Sequence, residues 1–356
     1  MAGPAVLVAH VGRHRDRIGH VGHRGGAVVA ARVAQRVGAH AHRTLAGGGR
    51  GQQRGHPVAL CVSSSRAENG ARHMIGFCID SNAQLPPELV ARYDVEVVPL
   101  SVTVDGEEFL EGLDLDADSF YARFAAGAVP TVTTAAPSPG RFAVAYQALA
   151  ARGVTEVLSV HIGSAISATV NAAHIGTQDS PVPVRLVDTG TASFAVACCL
   201  WEAAEAVRGG AGLEEAARVA QEVAGRTDNV FVVRALDLAR RGGRLSAAAE
   251  QAVAAGAIPV LRLVGGSYQP VAQVTNVEDA ADVMAEAVLA GGVRLRVGIS
   301  VADAGALPLR HALEERLAGA AEVAELVRYR VGPSVGVHTG PGTAGAMWYP
   351  TGTSTG

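Results

Sequence analysis

From Met74 to about Val230 short apolar runs alternate with longer stretches of helical period, and this alternation constrains the fold more than any other feature of the chain. The apolar runs predict strands over 75–79, 96–104, 156–161 and 184–187. The stretches between and after them predict helices over 86–93, 117–125, 139–152, 167–177, 193–208 and 213–226. Pro86 and Pro139 stand at helix starts, where a missing amide hydrogen costs nothing. A strand, a helix and a further strand in succession imply a parallel sheet covered on both faces. In open sheets of that kind ligands collect beyond the carboxyl ends of the strands. Asp80-Ser81, Ser164 and Asp188-Thr189-Gly190-Thr191 all fall at such ends, so they are expected on one rim.

A second α/β block follows. Strands are predicted over 230–233, 258–263, 294–301 and 325–331, and helices over 235–241, 277–289 and 308–318. The turn Gly265-Gly266-Ser267-Tyr268 reads as a hairpin between Arg262 and Val274. The expected organisation is an extension over 1–73, a first α/β domain over 74–228, a second over 229–349 and a tail over 350–356. A chain of 356 residues is long enough for two such cores.

Charge divides at the same place. Residues 1–73 hold eleven Arg against two acidic residues and eight of the twelve His, whereas 74–356 hold nineteen Arg against thirty-one acids. Lysine is absent throughout. The first 73 residues show no apolar period and no signal-peptide pattern, and they read as a disordered or spurious extension with no part in folding or binding. The acidic body argues against nucleic acid as a partner, since phosphate binding calls for a basic face. Its apolar runs fall short of the ~18–20 residues of a membrane span, so no stable insertion and a cytoplasmic location are expected. Cys61, Cys78, Cys198 and Cys199 show no C-x-x-C spacing and imply neither a disulfide framework nor structural zinc.

Five polar islands follow apolar runs: Asp80-Ser81, 133–138, 164–169, 240–246 and 332–342. In the last, Gly332, Gly336, Gly340, Pro333 and Pro341 predict a tight ligand-approaching loop around His338 rather than a helix. Hydroxyl-rich turns at strand ends suit an anion. Thr134 and Ser167 can donate O–H bonds, a helix starting near Ser167 adds amides, Arg244 offers a guanidinium and His338 a switchable donor. The plainer roles for these residues are helix capping, for Ser138 above all, and solvated surface charge for Arg244. His161, His174, His311 and His338 lack acids at metal-ligand spacing, and no Walker loop, G-x-S-x-G elbow or G-x-G-x-x-G is present. No metal and no cofactor is expected.

The islands, in their order, resemble the DegV family of fatty-acid-binding proteins, the lipid-presenting subunits of bacterial fatty acid kinase. The resemblance runs from Met74 to about Tyr349. It is carried by Ile79-Asp80-Ser81, by Val97-Val98-Pro99-Leu100, and by Thr133-Thr134-Ala135-Ala136-Pro137-Ser138, where the family has Thr-Ser-Gln-Pro-Ser. Ser164-Ala165-Ile166-Ser167-Ala168-Thr169, Gly242-Gly243-Arg244-Leu245-Ser246 and His338-Thr339-Gly340-Pro341-Gly342 complete it. Ala168 stands where the family has Gly, and Glu250 and Gln251 where it has apolar residues.

The resemblance implies a two-domain α/β fold with one long-chain fatty acid in a tunnel between the domains. It places the carboxylate at Thr134, Ser164, Ser167, Ala168, Arg244 and His338, with Asp80, Ser81, Thr133, Thr169 and Gly340 nearby. It also implies that the chain is not itself the catalyst: an ATP-binding kinase subunit would phosphorylate the presented carboxylate. The alternative is a hydrolase using Ser167 or Ser164 as nucleophile on an acyl or phosphoryl ester, and a base in hydrogen-bond reach of the serine would distinguish it.

Overall fold

Pro99 splits the longest predicted strand in two, and the two halves join different sheets. In the computed structural model of the protein, which describes residues 5–7, 74–243 and 257–352, Ala5–Leu7 is β1, Ile75–Asp80 β2, Glu96–Val98 β3 and Ser101–Val104 β4. β3 stays with β2, β7 (Glu156–His161) and β8 (Val184–Asp188) in a parallel sheet of order β3-β2-β7-β8. β4 turns away to pair antiparallel with β5 (Glu107–Leu110) and β6 (Val132–Ala135). Proline has no amide hydrogen for a ladder, so the break falls where the chain changes sheet.

The parallel sheet is covered on both faces, and the period of two decides which side chain goes where. Phe77 and Ile79 of β2 pack under the helices Phe194–Arg208 and Leu213–Ala224. Cys78, between them, points to the opposite face, with Phe142, Tyr146 and Leu149 of the helix Pro139–Ala151. Fully burying one such Phe or Leu stabilises by about 1.5–3 kcal/mol.

The second block forms a mixed sheet in the order β1-β13-β12-β14-β9-β10-β11. Its strands are β9 (Asp228–Val232), β10 (Ile258–Val264), β11 (Ser267–Val274), β12 (Leu295–Val301), β13 (Val323–Arg330) and β14 (Ala344–Pro350). β12 and β13 run parallel, β14 inserts antiparallel between β12 and β9, and β10–β11 is the expected hairpin. The helices Val277–Leu289 and Leu307–Leu317 cover one face, with Met284 and Leu313 in one core with Trp348 of β14. The other face looks toward the first block, where Val327, Tyr329 and Tyr349 share a core with Phe77 and Leu200. The described residues belong to one compact unit. It is a mixed α/β fold with a parallel sheet, as the strand–helix alternation implies.

Five expectations need correction. The extension over 1–73, expected to take no part in folding, supplies β1, which pairs parallel with Glu325–Val327 of β13; the rest of it lies outside the described residues. The glycine- and proline-rich stretch around His338 contains the helix Pro333–Thr339. Pro333 occupies its first turn, where the absent amide hydrogen is harmless. Gly336 lies inside it because a Cβ there would come within 2.6 Å of Phe120 Cε1 and 2.7 Å of Tyr121 Oη, and Gly340, at φ +71°, ends it. The island around Thr134 is strand β6 rather than a turn. The helix expected from Ser167 begins at Thr169, and Ser138 precedes its helix without a side-chain capping bond. β14 has no counterpart in the sequence reading, because Ala344-Gly345-Ala346 gives no β-branched signal.

Candidate functional site

The β4–β6 register places Thr134 opposite Val102, which is completely buried, so both face inward beneath the helix Pro333–Thr339. Thr133, one residue earlier, faces outward and is exposed. His338 lies in the last turn of that helix, with Nε2 3.3 Å from Thr134 Oγ1. Ser167 comes from the turn after β7. After β7 the chain turns back on itself, with Ile166 N and Ser167 N both donating to Gly163 O at 2.8 and 3.0 Å. Ser167 Oγ is 2.8 Å from Thr169 Oγ1 and accepts from Thr169 N at 3.3 Å. Thr169 is fully buried and orients Ser167. Ala168 has φ −71° and ψ 5°, an ordinary conformation, so its methyl fits the turn without strain.

Thr134, Ser167, Ala168 and His338 all line one cavity of about 370 Å³ at the junction of the two blocks. Much of its remaining wall is apolar: Ile162, Ile166 and Leu263, and the inner-face residues Phe231, Tyr329 and Met347. Further polar side chains line it, but their hydrogen-bonding capacity goes to the protein. Thr339 Oγ1 donates to Val335 O at 3.2 Å, Thr343 Oγ1 to Thr339 O at 3.0 Å and Ser300 Oγ to Gly345 O at 3.3 Å. Asn82 Oδ1 accepts from Ser193 N at 2.9 Å, and its Nδ2 donates to Ser334 Oγ at 3.4 Å. Burial holds the Tyr329 phenol up at about 12, with the Ser300 and Ser193 hydroxyls partly offsetting that rise, so it lines the wall as a neutral group. Thr134 and His338 thus stand within hydrogen-bond distance of each other on this wall, and Ser167 lines the same cavity. No arginine lines it among the described residues, and Arg244 lies outside those residues, as do Leu245, Ser246, Glu250, Gln251 and Cys61.

The other expected residues take structural places. Asp80 is fully buried, accepting from Asn82 N at 3.1 Å, Ile162 N at 3.0 Å and His161 Nδ1 at 3.0 Å. Ser81 Oγ donates to Glu111 Oε2 and accepts from Leu100 N. Ser164 is exposed, and its amide donates to Asp188 Oδ1 at 3.0 Å. Burial alone would raise the Asp188 carboxyl, but the Ser164 hydroxyl and the amides of Gly190 and Ser164 outweigh it and hold it below the usual range. Neither Ser164 nor Asp188 lines the cavity described above. Gly340 caps the helix behind His338.

Glu111 was not legible as part of the site. Its buried carboxylate accepts from Ser81 Oγ and from Ser334 N at 2.8 Å, tying the start of the His338 helix to the first block. Desolvation raises its pKa, against the lowering effect of the Ser81 and Ser334 hydrogen bonds. Its partners lie 30 and 223 residues away in sequence, so no local pattern marks it. Phe231, Tyr329 and Met347 were equally hidden, since each reads simply as core. Among the described residues no group of three or more His, Cys, Asp or Glu is placed to hold a metal ion, and no helix is long and apolar enough to cross a membrane.

Comparison with known proteins places this arrangement among relatives. The family profile described as an uncharacterised protein, DegV family, matches residues 74–351. A DegV domain-containing protein of Streptomyces coelicolor is 34% identical over 284 residues, covering 78% of this chain and 98% of the relative. Among solved structures, a DegV family protein from Thermus thermophilus described for its fatty acid binding is 29% identical with a TM-score of 0.69, covering 78% of this chain and 99% of that one. A Thermotoga maritima protein described as revealing a fatty acid binding function is 26% identical with a TM-score of 0.67, covering 78% and 99%.

Proposed function

The chain belongs to the DegV family, and from that premise we propose that it binds one long-chain fatty acid in the cavity, with the carboxylate at Thr134, Ser167 and His338. The observation that carries this reading is the uneven wall: the Thr134 hydroxyl and the His338 imidazole side by side, with Ser167 on the same lining, and elsewhere mostly apolar groups or polar groups bonded to the protein. An amphiphile with a single polar end matches such a wall. Each methylene buried contributes about 0.8 kcal/mol, so an acyl chain supplies most of the affinity and the carboxylate contacts its orientation.

In this reading the protein is a carrier. It presents the carboxylate to a separate ATP-binding kinase subunit in the cytoplasm, which forms the acyl phosphate. Among the described residues Ser167 Oγ bonds to Thr169 rather than to an imidazole or carboxylate, which favours holding a ligand over attacking one. The test is native mass spectrometry of the full chain purified from a bacterial host, followed by lipid extraction. A fatty acid at close to one per chain is expected. Lipid-free protein that also shows no thermal shift with palmitate or oleate would refute the reading.

A further inference from the structure

The helix Leu236–Arg241 ends in two glycines that are there for different reasons. Gly243 has φ +67°, and nothing lies within 4 Å of the position a Cβ would take, so the backbone requires glycine and space does not. Gly242 is the reverse. Its φ of −74° and ψ of −1° are open to any residue, but a methyl group there would sit under 3.0 Å from His338 Nδ1 and 3.2 Å from Leu238 O. That carbonyl cannot retreat, because it accepts the Gly242 amide at 2.8 Å in the closing turn of the helix. The imidazole is the group that would have to move. Its far edge is the one beside the site, with Nε2 3.3 Å from Thr134 Oγ1.

We propose that Gly242 is a positioning residue for the carboxylate site: its bare Cα is the seat that holds the His338 ring against Thr134. A side chain at 242 would push the ring off that seat while leaving the local backbone able to keep its shape. The His338 helix is braced at its other end as well, because Glu111 accepts the Ser334 amide, so the ring itself yields more easily than the helix. The affinity consequence rests on the fatty-acid reading; the seating of the ring does not.

The experiment compares Gly242→Ala, Gly243→Ala, His338→Ala and the double variant Gly242→Ala/His338→Ala in the full chain. Imidazole 1H–13C resonances, assigned to His338 by their loss in His338→Ala, report the ring directly. They are expected to shift in Gly242→Ala and to stay in place in Gly243→Ala. Oleate affinity, read by displacement of cis-parinaric acid, is expected to fall about tenfold in Gly242→Ala, the loss of one good hydrogen bond to a charged group. In the His338→Ala background the same change should alter affinity by less than about twofold, since the ring it displaces is gone. Unshifted His338 resonances in Gly242→Ala, or an equal affinity loss with and without the imidazole, would overturn the proposal. If the single variant does not fold, the double variant is expected to, because truncating His338 makes the room; an unfolded double variant would also overturn it. Wild-type protein that binds no oleate would sink the fatty-acid reading and leave the resonance comparison to judge the seat.

Discussion

His161 and His338 each lie beside a hydroxyl, one in the closed core of the parallel sheet and the other on the cavity wall. His161 stands in a continuous chain: its Nδ1 donates to Asp80 Oδ2 at 3.0 Å, its Nε2 is 2.6 Å from Ser159 Oγ, and Ser159 is 3.0 Å from Tyr146 Oη. Asp80, Ser159, His161 and Tyr146 are all 0% exposed. Burial pushes the neighbouring Cys78 thiol up to about 12, partly offset by its hydrogen bond to Ser159. Serine, histidine and aspartate thus meet in the order a hydrolase uses, in a place no substrate reaches. His338 has the looser geometry, yet it is partly exposed and faces a cavity of about 370 Å³. Access to a cavity, more than residue type, separates His338 from His161.

The comparison is broken first at Asp80. Asp80→Asn keeps the volume but turns an amide nitrogen toward donors, so at least one buried donor loses its acceptor. The expected cost is about 3 kcal/mol, or a melting temperature lower by roughly 6–12 °C, with fatty-acid affinity of the folded protein changed less than about threefold. Calorimetry and ligand displacement on one preparation check both parts. A stable variant with lost affinity would mean that the closed cluster serves the ligand after all.

The opposite outcome is expected at the cavity. Thr134→Ala and Ser167→Ala should each weaken fatty-acid retention by roughly ten- to a hundredfold, at about 1.5–3 kcal/mol per bond to a charged group. The ligand-free melting temperature of Thr134→Ala should stay within a few degrees of wild type, and that of Ser167→Ala should fall somewhat further, because Ser167 Oγ is the partner of the buried Thr169 hydroxyl. Unaltered retention in both variants would remove the carboxylate from this end of the cavity.

The smallest effect concerns Glu111, which holds the His338 helix from behind. Its carboxyl titrates higher in the folded chain than its ordinary 4.5. Between those two values the folded chain binds the extra proton, so this group's contribution makes stability fall as pH rises above about 4.5. Glu111→Gln still accepts the Ser334 amide but does not titrate. The difference between its urea midpoint and that of wild type should therefore change with pH above 4.5, in the direction of relative gain for the variant. Parallel profiles would show that Glu111 does not titrate in that window.

The parallel sheet, the hairpin and most helices were legible because each follows from a local period and a local stop signal. The strand breaking at Pro99 and the helix around His338 were misread in opposite directions: a strand was read through Pro99, which breaks it, and a break was read at Pro333 and Gly336, where a helix forms. Proline and glycine mark departures from regular structure on average, but Pro333 falls in the one turn that tolerates it and Gly336 where Phe120 and Tyr121 leave no room for a Cβ. That room is set by residues more than 200 positions away, invisible to any local window.

Thr134, Ser167 and His338 could be named from the sequence as hydroxyls and an imidazole suited to an anion. That they line one cavity, that Ser164, Asp80 and Ser81 do not, and that Gly242 limits the ring was decided by the tertiary structure alone. A residue's chemistry is a property of its side chain and is read from the sequence. Whether that chemistry is available depends on what already accepts its hydrogen bonds and what excludes water from it. Both are set by groups distant in the chain, which meet only when the sheets pack.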